Sequence, residues 1–137
     1  MEELKKFTAV IERGEDGEYS VYIAEEDCPF GCIGTGRSVA EAKEDFLAAV
    51  NDVRAVYAEE NKEFPEVDFE FRYDVASFLA NYSKAFTLAG LSRITGVNQG
   101  QLSHYITGHR RPSAATVQKI ESSIHAFAED LSQVHFV

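Results

Sequence analysis

The chain has 137 residues, 45% of them hydrophobic, which suits one domain or two small ones and is too apolar for intrinsic disorder. No apolar run approaches the roughly 20 residues that cross a membrane, and residues 1–6 contain no signal-peptide segment, so we expect a cytoplasmic protein. The net charge of −10 is uneven, because residues 1–83 hold 8 Lys/Arg and 20 Asp/Glu while residues 84–137 hold 5 and 3. The acidic part favours a basic partner, whereas the remainder can approach phosphate groups.

Three segments at the start of the chain predict β-strands. Residues 7–11 and 19–23 are rich in β-forming residues and flank turn residues at 14–17, which indicates a hairpin with a loop of about five residues. We expect a third short strand around residues 30–36, where glycines interrupt the pattern.

A long helix and a fourth strand follow. Ser38 and Glu41 form a capping box, in which the Ser side chain accepts from the Glu41 amide and the Glu side chain reaches back. Apolar residues then recur on one helical face: Val39, Ala42, Phe46, Ala49, Val50, Val53 and Tyr57. Residues 61–65 end the helix, and residues 67–74 alternate as a strand with a mostly acidic outer face. The order β-β-β-α-β leaves one sheet face or edge either solvated or free for a partner.

We predict neither a metal site nor an active site in this part. Cys28 and Cys32 are the two cysteines of the chain, whereas a structural zinc site needs about four ligands, so we interpret them as reduced thiols at a strand edge. The carboxylates available to a metal-dependent nuclease are scattered over a turn, a loop and a strand: Asp16, Glu26, Asp27 and Asp68. A nuclease is therefore a disfavoured alternative, and we expect no enzymatic activity and no cofactor.

Residues 75–137 predict an all-α unit with a helix-turn-helix. Helices are expected at residues 75–86 and 88–94 and from residue 99 to about 107. Four residues have the types that the helix caps and the corner of the motif require: Thr87, Gly96, Val97 and Asn98. Gly96 takes the position that needs a left-handed backbone.

The third of these helices has a packing side and an outward side. Leu102, Tyr105 and Ile106 fall on the packing side of a helical wheel. The residues expected to contact DNA lie at its N-terminus and on its outward side: Asn98, Gln99, Gly100, Gln101, Ser103 and His104. Gln makes paired contacts to adenine and Ser serves several bases, although an ordinary solvated face is the alternative.

A basic corner comes directly after this helix. Gly108 ends the helix, and Pro112 and Ser113 begin the next one. Arg110 and Arg111 lie in the loop between, where guanidinium groups can bind phosphates and supply salt-dependent affinity.

Two family resemblances follow from these motifs. Residues 87–120 resemble the lambda-repressor/Xre class of helix-turn-helix, through Thr87-Leu88-x-x-Leu91, Gly96-Val97, Gln99, Gly108-x-Arg110-Arg111-Pro112-Ser113, Val117 and Ile120. Residues 7–74 resemble HicB-type antitoxins, through Asp16-Gly17-Glu18-Tyr19-Ser20-Val21, Gly31-Cys32, Gly36 and Ser38-Val39-Ala40-Glu41-Ala42.

The resemblances imply an α+β protein with a partial ribonuclease-H-like domain at residues 1–74 and a DNA-binding domain at residues 75–137. They further imply an antitoxin of a type II toxin-antitoxin system, which covers a small basic ribonuclease toxin of the HicA kind and represses its own operon by binding operator DNA. The alternative is a solitary or phage-type repressor without a toxin partner.

Apolar residues recur at heptad-like spacing near the end of the chain: Val117, Ile120, Ile124, Phe127, Leu131 and Val134. This stripe predicts either a long helix that packs across its own unit or the seam of a homodimer or higher homo-oligomer. A dimer would suit two operator half-sites about one helical turn apart.

Overall fold

The computed structural model describes residues 3–137, so Met1 and Glu2, which belong to the N-terminal stretch considered above, lie outside the described residues. The strands are β1 Lys6–Arg13, β2 Tyr19–Ile23, β3 Ile33–Gly36 and β4 Asp68–Tyr73. The helices are α1 Val39–Glu59, α2 Val75–Asn81, α3 Leu88–Thr95, α4 Gln99–Ile106 and α5 Ala114–Ser132. This order confirms the predicted α+β fold class, with β-β-β-α-β followed by helices. No helix in the described range is long and apolar enough to cross a membrane.

The chain divides into two compact units, one ending at Ser77 and the other beginning at Phe78. In the first unit, the four strands lie in the order β3-β2-β1-β4. The β1/β2 and β2/β3 pairs are antiparallel, whereas β1 and β4 are parallel. The predicted hairpin loop is closed by a 2.7 Å hydrogen bond from the Gly14 amide to the Glu18 carbonyl. Since α1 connects β3 to β4, it crosses the sheet from one edge to the other.

The core of the first unit lies between α1 and one face of the sheet. Ala9, Ile11, Val21 and Phe46 are fully buried there. The Phe46 ring meets the ring of Phe69 edge-on, with centroids 5.1 Å apart. This arrangement matches the apolar face predicted for α1, whose buried residues are Val39, Ala42, Phe46 and Val50.

The capping box of α1 is confirmed, with one difference. The Ser38 hydroxyl accepts from the Glu41 amide at 3.1 Å, as predicted. The Glu41 carboxylate accepts from the amide of Arg37, one residue further back than the cap itself, at 2.8 Å. The first bond satisfies an amide that the first turn of the helix leaves without a partner, and the second satisfies an amide just before the cap.

Two helix ends in the second half differ from prediction. The helix predicted over residues 75–86 stops at Asn81, where the Ser83 hydroxyl donates to the Ala80 carbonyl at 2.9 Å and competes with the helical bonds. Tyr82 therefore lies outside the helix. Its side chain is 38% exposed. Val134 likewise lies beyond the end of α5 at Ser132, so the heptad-like stripe is shorter than predicted.

The stripe on α5 also divides by burial. Ile120 is buried, and the Phe127 ring contacts the Phe86 ring of the same unit with centroids 6.1 Å apart. Leu131, by contrast, is 53% exposed. Packing across its own unit therefore accounts for Ile120 and Phe127, whereas Val117 at the start of the stripe is exposed like Leu131.

Candidate nucleic-acid interface

The helix-turn-helix is built by α3, a tight corner and α4. The Thr87 hydroxyl caps α3 by accepting from the Gly90 amide at 2.9 Å. Gly96 ends the helix with φ 73°, and its amide donates to the Ser92 carbonyl at 2.8 Å. The left-handed backbone predicted for Gly96 is thus confirmed.

Buried hydrogen bonds stabilise the corner. The Thr95 hydroxyl donates to the Leu91 carbonyl at 2.7 Å and accepts from the Val97 amide at 3.2 Å. Thr95 and Val97 are both buried, so breaking either bond would leave a polar group without a partner. On α4, Leu102 is fully buried and Tyr105 is 5% exposed, as the helical wheel predicted. These contacts fix the orientation of α4 on the unit.

The N-terminus of α4 is capped by Asn98. Its side-chain oxygen accepts from the amide of Gly100 at 2.7 Å and from that of Gln101 at 3.4 Å. The oxygen of Asn98 is therefore committed to the helix, which leaves its amide nitrogen as the group that can meet a ligand. Gly100 permits this cap, since an added Cβ would lie 3.0 Å from the Asn98 oxygen.

The outward side of α4 is polar and mostly accessible. Gln99, Gly100, Gln101 and His104 are exposed, whereas Ser103, on the flank of the helix, is half-buried. Ile106 was predicted to pack inward but is 37% exposed. It lies in the last turn of an eight-residue helix, after which the chain turns away at Thr107.

The chain folds back on α4 after the helix ends. Gly108 has φ 75°, and the Arg110 amide donates to the His104 carbonyl at 3.3 Å. This reversal brings the ring of His109 to 4.9 Å from the ring of His104. Sequence reasoning did not single out His109; the glycine before it, which permits the reversal, was the available signal.

The cations of the second unit are free of acidic partners. The described ion pairs all lie within residues 5–72, and none includes a Lys or Arg of residues 84–137. Arg110 and Arg111 are both exposed. Sequence reasoning did not identify Lys119, whose ammonium group lies 3.5 Å from the Gly96 carbonyl at the corner. Because α5 returns to the corner only in the fold, no local motif marks this lysine.

Two of the carboxylates considered for a nuclease have partners of their own in the first unit. Asp16 accepts from the Glu18 amide at 3.0 Å in the hairpin turn, and Asp27 pairs with Lys5 at 2.6 Å. The hydrogen bond from Lys5 lowers the pKa of the Asp27 carboxyl. Across residues 3–137, no three His, Cys, Asp or Glu side chains come together as metal ligands.

Both cysteines line an open depression of about 640 Å³ beside Tyr22 and Ile33. Burial, with a smaller contribution from Cys28, raises the pKa of the Cys32 thiol. The protonated thiol is therefore favoured at neutral pH, which makes Cys32 a poor nucleophile.

Comparison with known proteins bears on the second unit. Residues 83–124 match the family model described as Helix-turn-helix. A search of curated proteins and a search of solved structures each gave no match. The matched residues carry the corner, the polar face of α4 and the basic loop. The chain therefore contains a helix-turn-helix domain of the lambda-repressor/Xre type, which is a module of DNA-binding transcriptional regulation.

Proposed function

We propose that this protein is a sequence-specific repressor that places α4 in the major groove of operator DNA. The observation that carries this proposal is the polar, exposed face of α4, fixed on a buried corner and followed by two unpaired arginines. Helix-turn-helix proteins contact base edges from the N-terminal end of this helix. That end here presents Gln99 and Gln101.

The proposed contacts divide into two kinds. Gln99, Gln101 and His104 read bases, because their side chains are exposed and carry both donors and acceptors. Arg110 and Arg111 bind phosphates, which fixes the register of the protein without reading sequence. Secondary contacts to DNA come from the free amide nitrogen of Asn98 and the half-buried hydroxyl of Ser103. Gly100 lets the backbone approach the groove.

Substitutions can test this division. Gln99→Ala and His104→Ala should reduce the preference for operator over random duplex, since each removes a base contact. Arg110→Ala should weaken binding to all duplexes alike and flatten the salt slope by about one. Gln118→Ala and Arg37→Ala are matched controls, because both side chains are exposed and lie outside α4 and its basic loop.

The measurement is fluorescence anisotropy of the full chain with operator and random duplexes over a salt series. We expect an inverted repeat upstream of the gene, and a duplex that contains it serves as operator. If all three substitutions change operator and random binding equally, the division of roles is wrong. If the unmodified protein binds the operator no better than random DNA at moderate salt, the repressor proposal fails.

We further propose that the first unit is the antitoxin half of a type II toxin-antitoxin pair and covers a small basic toxin of the HicA kind. The resemblance to HicB-type antitoxins supports this, as do the β-β-β-α-β order and the acidic charge of residues 1–77, with 8 Lys/Arg and 20 Asp/Glu. Co-expression with a basic protein encoded next to the gene should give a complex without ribonuclease activity. Toxicity that the chain does not relieve would contradict the proposal.

A solitary repressor is the second candidate, because the family match covers residues 83–124, which is all that such a protein needs to bind DNA. Specific operator binding in the absence of any toxin-like neighbouring gene would favour it.

In either case we propose a cytoplasmic binding protein and not an enzyme. Asp16 and Asp27 already serve the hairpin turn and the pair with Lys5, which supports structural roles for them. Metal-dependent cleavage of an RNA–DNA hybrid, lost in Asp16→Asn or Asp27→Asn, would overturn this proposal.

A further inference from the structure

The two edges of the sheet in the first unit differ in the hydrogen-bond partners of their outward amides. A strand edge presents unpaired amides and carbonyls to any other strand that can pair with them. At the β3 edge, the outward amide of Thr35 donates to Asp45 at 2.9 Å, and that of Arg37 donates to Glu41 at 2.8 Å. Carboxylates of α1 therefore occupy the amide of Thr35 in β3 and that of Arg37 just after it.

The β4 edge is open. Asp68 donates its amide to the Lys5 carbonyl at 2.9 Å, which sets the phase of the parallel ladder between β4 and β1. In such a ladder alternate residues direct their backbone groups to the neighbouring strand, so those of Phe69 and Phe71 point away from β1. Among the described residues, no acceptor is found for the amides of Phe69 and Phe71. β4 is also the last strand in the sheet order.

The side chains of β4 carry a charge pattern with both signs. Phe69 and Phe71 pack toward the core, so the alternate residues Asp68, Glu70 and Arg72 lie on the opposite face. Arg72 is 2.7 Å from Glu70. Asp68 is exposed and takes part in none of the ion pairs found between described residues. Read along the strand, the charges are negative, negative, positive, so Asp68 and Arg72 at the two ends complement each other when the strand is reversed, while Glu70 in the middle faces its own copy.

We propose that β4 pairs antiparallel with β4 of a second copy of this chain, with Phe69 of each copy opposite Phe71 of the other. This register uses the outward backbone groups of both phenylalanines for about four hydrogen bonds. It places Asp68 of each copy opposite Arg72 of the other and Glu70 opposite Glu70. A shift by one residue would set aromatic side chains on the charged face, so a shift of this kind is disfavoured.

A second copy fits this edge better than an unrelated strand. The pairing is two-fold symmetric, as most homodimer contacts are, and the charge order needs no other sequence to complement it. The contact extends the homo-oligomer proposed from the sequence by giving it a site in the first unit, independent of the stripe on α5. It does not depend on DNA binding, since no residue of α4 or its basic loop takes part in it.

The charges allow a reversal experiment on the full chain. Asp68→Arg and Arg72→Asp should each raise the dissociation constant of the β4 contact about tenfold, because like charges then face each other twice. The double variant should restore the affinity to within about threefold of the original. Glu70→Gln should tighten the contact, since it removes the one repulsive pair of the proposed register. Asp52→Arg, with the same change of charge at an exposed position on α1, is the control.

Sedimentation equilibrium over a wide concentration range gives the dissociation constants. If the two single reversals behave like Asp52→Arg, or the double variant remains as weak as either, the proposal is wrong. Hydrogen exchange keeps the test independent of any folding defect in the variants. In the unmodified protein the amides of Phe69 and Phe71 should gain protection as concentration rises, while the amide of Thr35 should not change. Fast exchange at Phe69 and Phe71 at every concentration would overturn the proposal.

Binding of a duplex with a single half-site separates this inference from the proposed function. The reversal variants should bind it with unchanged affinity, so a change confined to self-association concerns the β4 contact alone.

Discussion

Substitution of Gly34 by alanine tests the close packing of β3 against α1. A Cβ at Gly34 would lie 2.3 Å from the amide nitrogen of Phe46 and 2.4 Å from the carbonyl oxygen of Ala42. Both are backbone atoms of α1, so no side-chain rotation relieves the overlap. Helix and strand would have to separate by about 1 Å, and overpacking of this kind costs about 1–3 kcal/mol of the free energy of unfolding. A cost of about 2 kcal/mol lowers the melting temperature of a small domain by about 8–16 °C.

Gly31→Ala is the matched control, because a Cβ there meets no atom within 4 Å. Both variants exchange a glycine for an alanine in the same unit, so effects on the unfolded chain are shared. Thermal unfolding followed by far-ultraviolet circular dichroism gives the melting temperatures, and hydrogen exchange identifies the unit that loses protection. If Gly34→Ala melts within about 1 °C of Gly31→Ala, the overlap is not the reason for glycine at this position.

Three further predictions concern the second unit and one exposed ion pair. Gly96→Ala should destabilise the second unit by about 1–2 kcal/mol in thermal unfolding, and Gly96→Asn by less, because Asn tolerates the left-handed backbone better; equal losses would contradict this reason. Leu102→Ala should cost about 2–5 kcal/mol and abolish operator binding, since it empties a fully buried site under α4; retained binding would show that α4 is positioned otherwise. The hydrogen bond from Arg54 lowers the pKa of the Glu66 carboxyl. Its stabilising effect is therefore present above the usual Glu pKa and lost as the pH falls through the lowered value. An NMR titration should find the Glu66 pKa higher in Arg54→Ala, and no change would exclude the pair in solution.

The first unit was predictable where a local motif sets the element. The capping box fixes the start of α1. The alternation of apolar and polar residues over 67–74 predicts β4, which spans Asp68–Tyr73. The order of the strands and the parallel pairing of β1 with β4 were not predicted. They depend on where α1 lands after crossing the sheet, which no local pattern encodes.

In the second unit the errors cluster at helix ends. The apolar spacing at Tyr82 and Val134 continues the helical pattern, yet both lie beyond the ends of their helices. Periodicity reports which side of a helix is apolar and says little about where competing side-chain hydrogen bonds stop it. Most of the candidate site could be predicted from the sequence, because the helix-turn-helix is a local motif. His109 and Lys119 were missed because a chain reversal and a distant helix bring them to it.

The distribution of ion pairs explains how a chain with a net charge of −10 can hold a DNA-binding unit. Acidic residues of the first unit engage most of its own cations, including Lys5, Arg54 and Arg72, and its remaining carboxylates carry the negative excess. The second unit holds 5 Lys/Arg and 3 Asp/Glu, and its cations take part in none of the ion pairs between described residues. At physiological salt, charges farther apart than about 8 Å are largely screened. A phosphate beside Arg110 therefore senses the charges within this distance far more than the net charge of the whole chain, so net charge is a poor guide to whether this chain binds DNA.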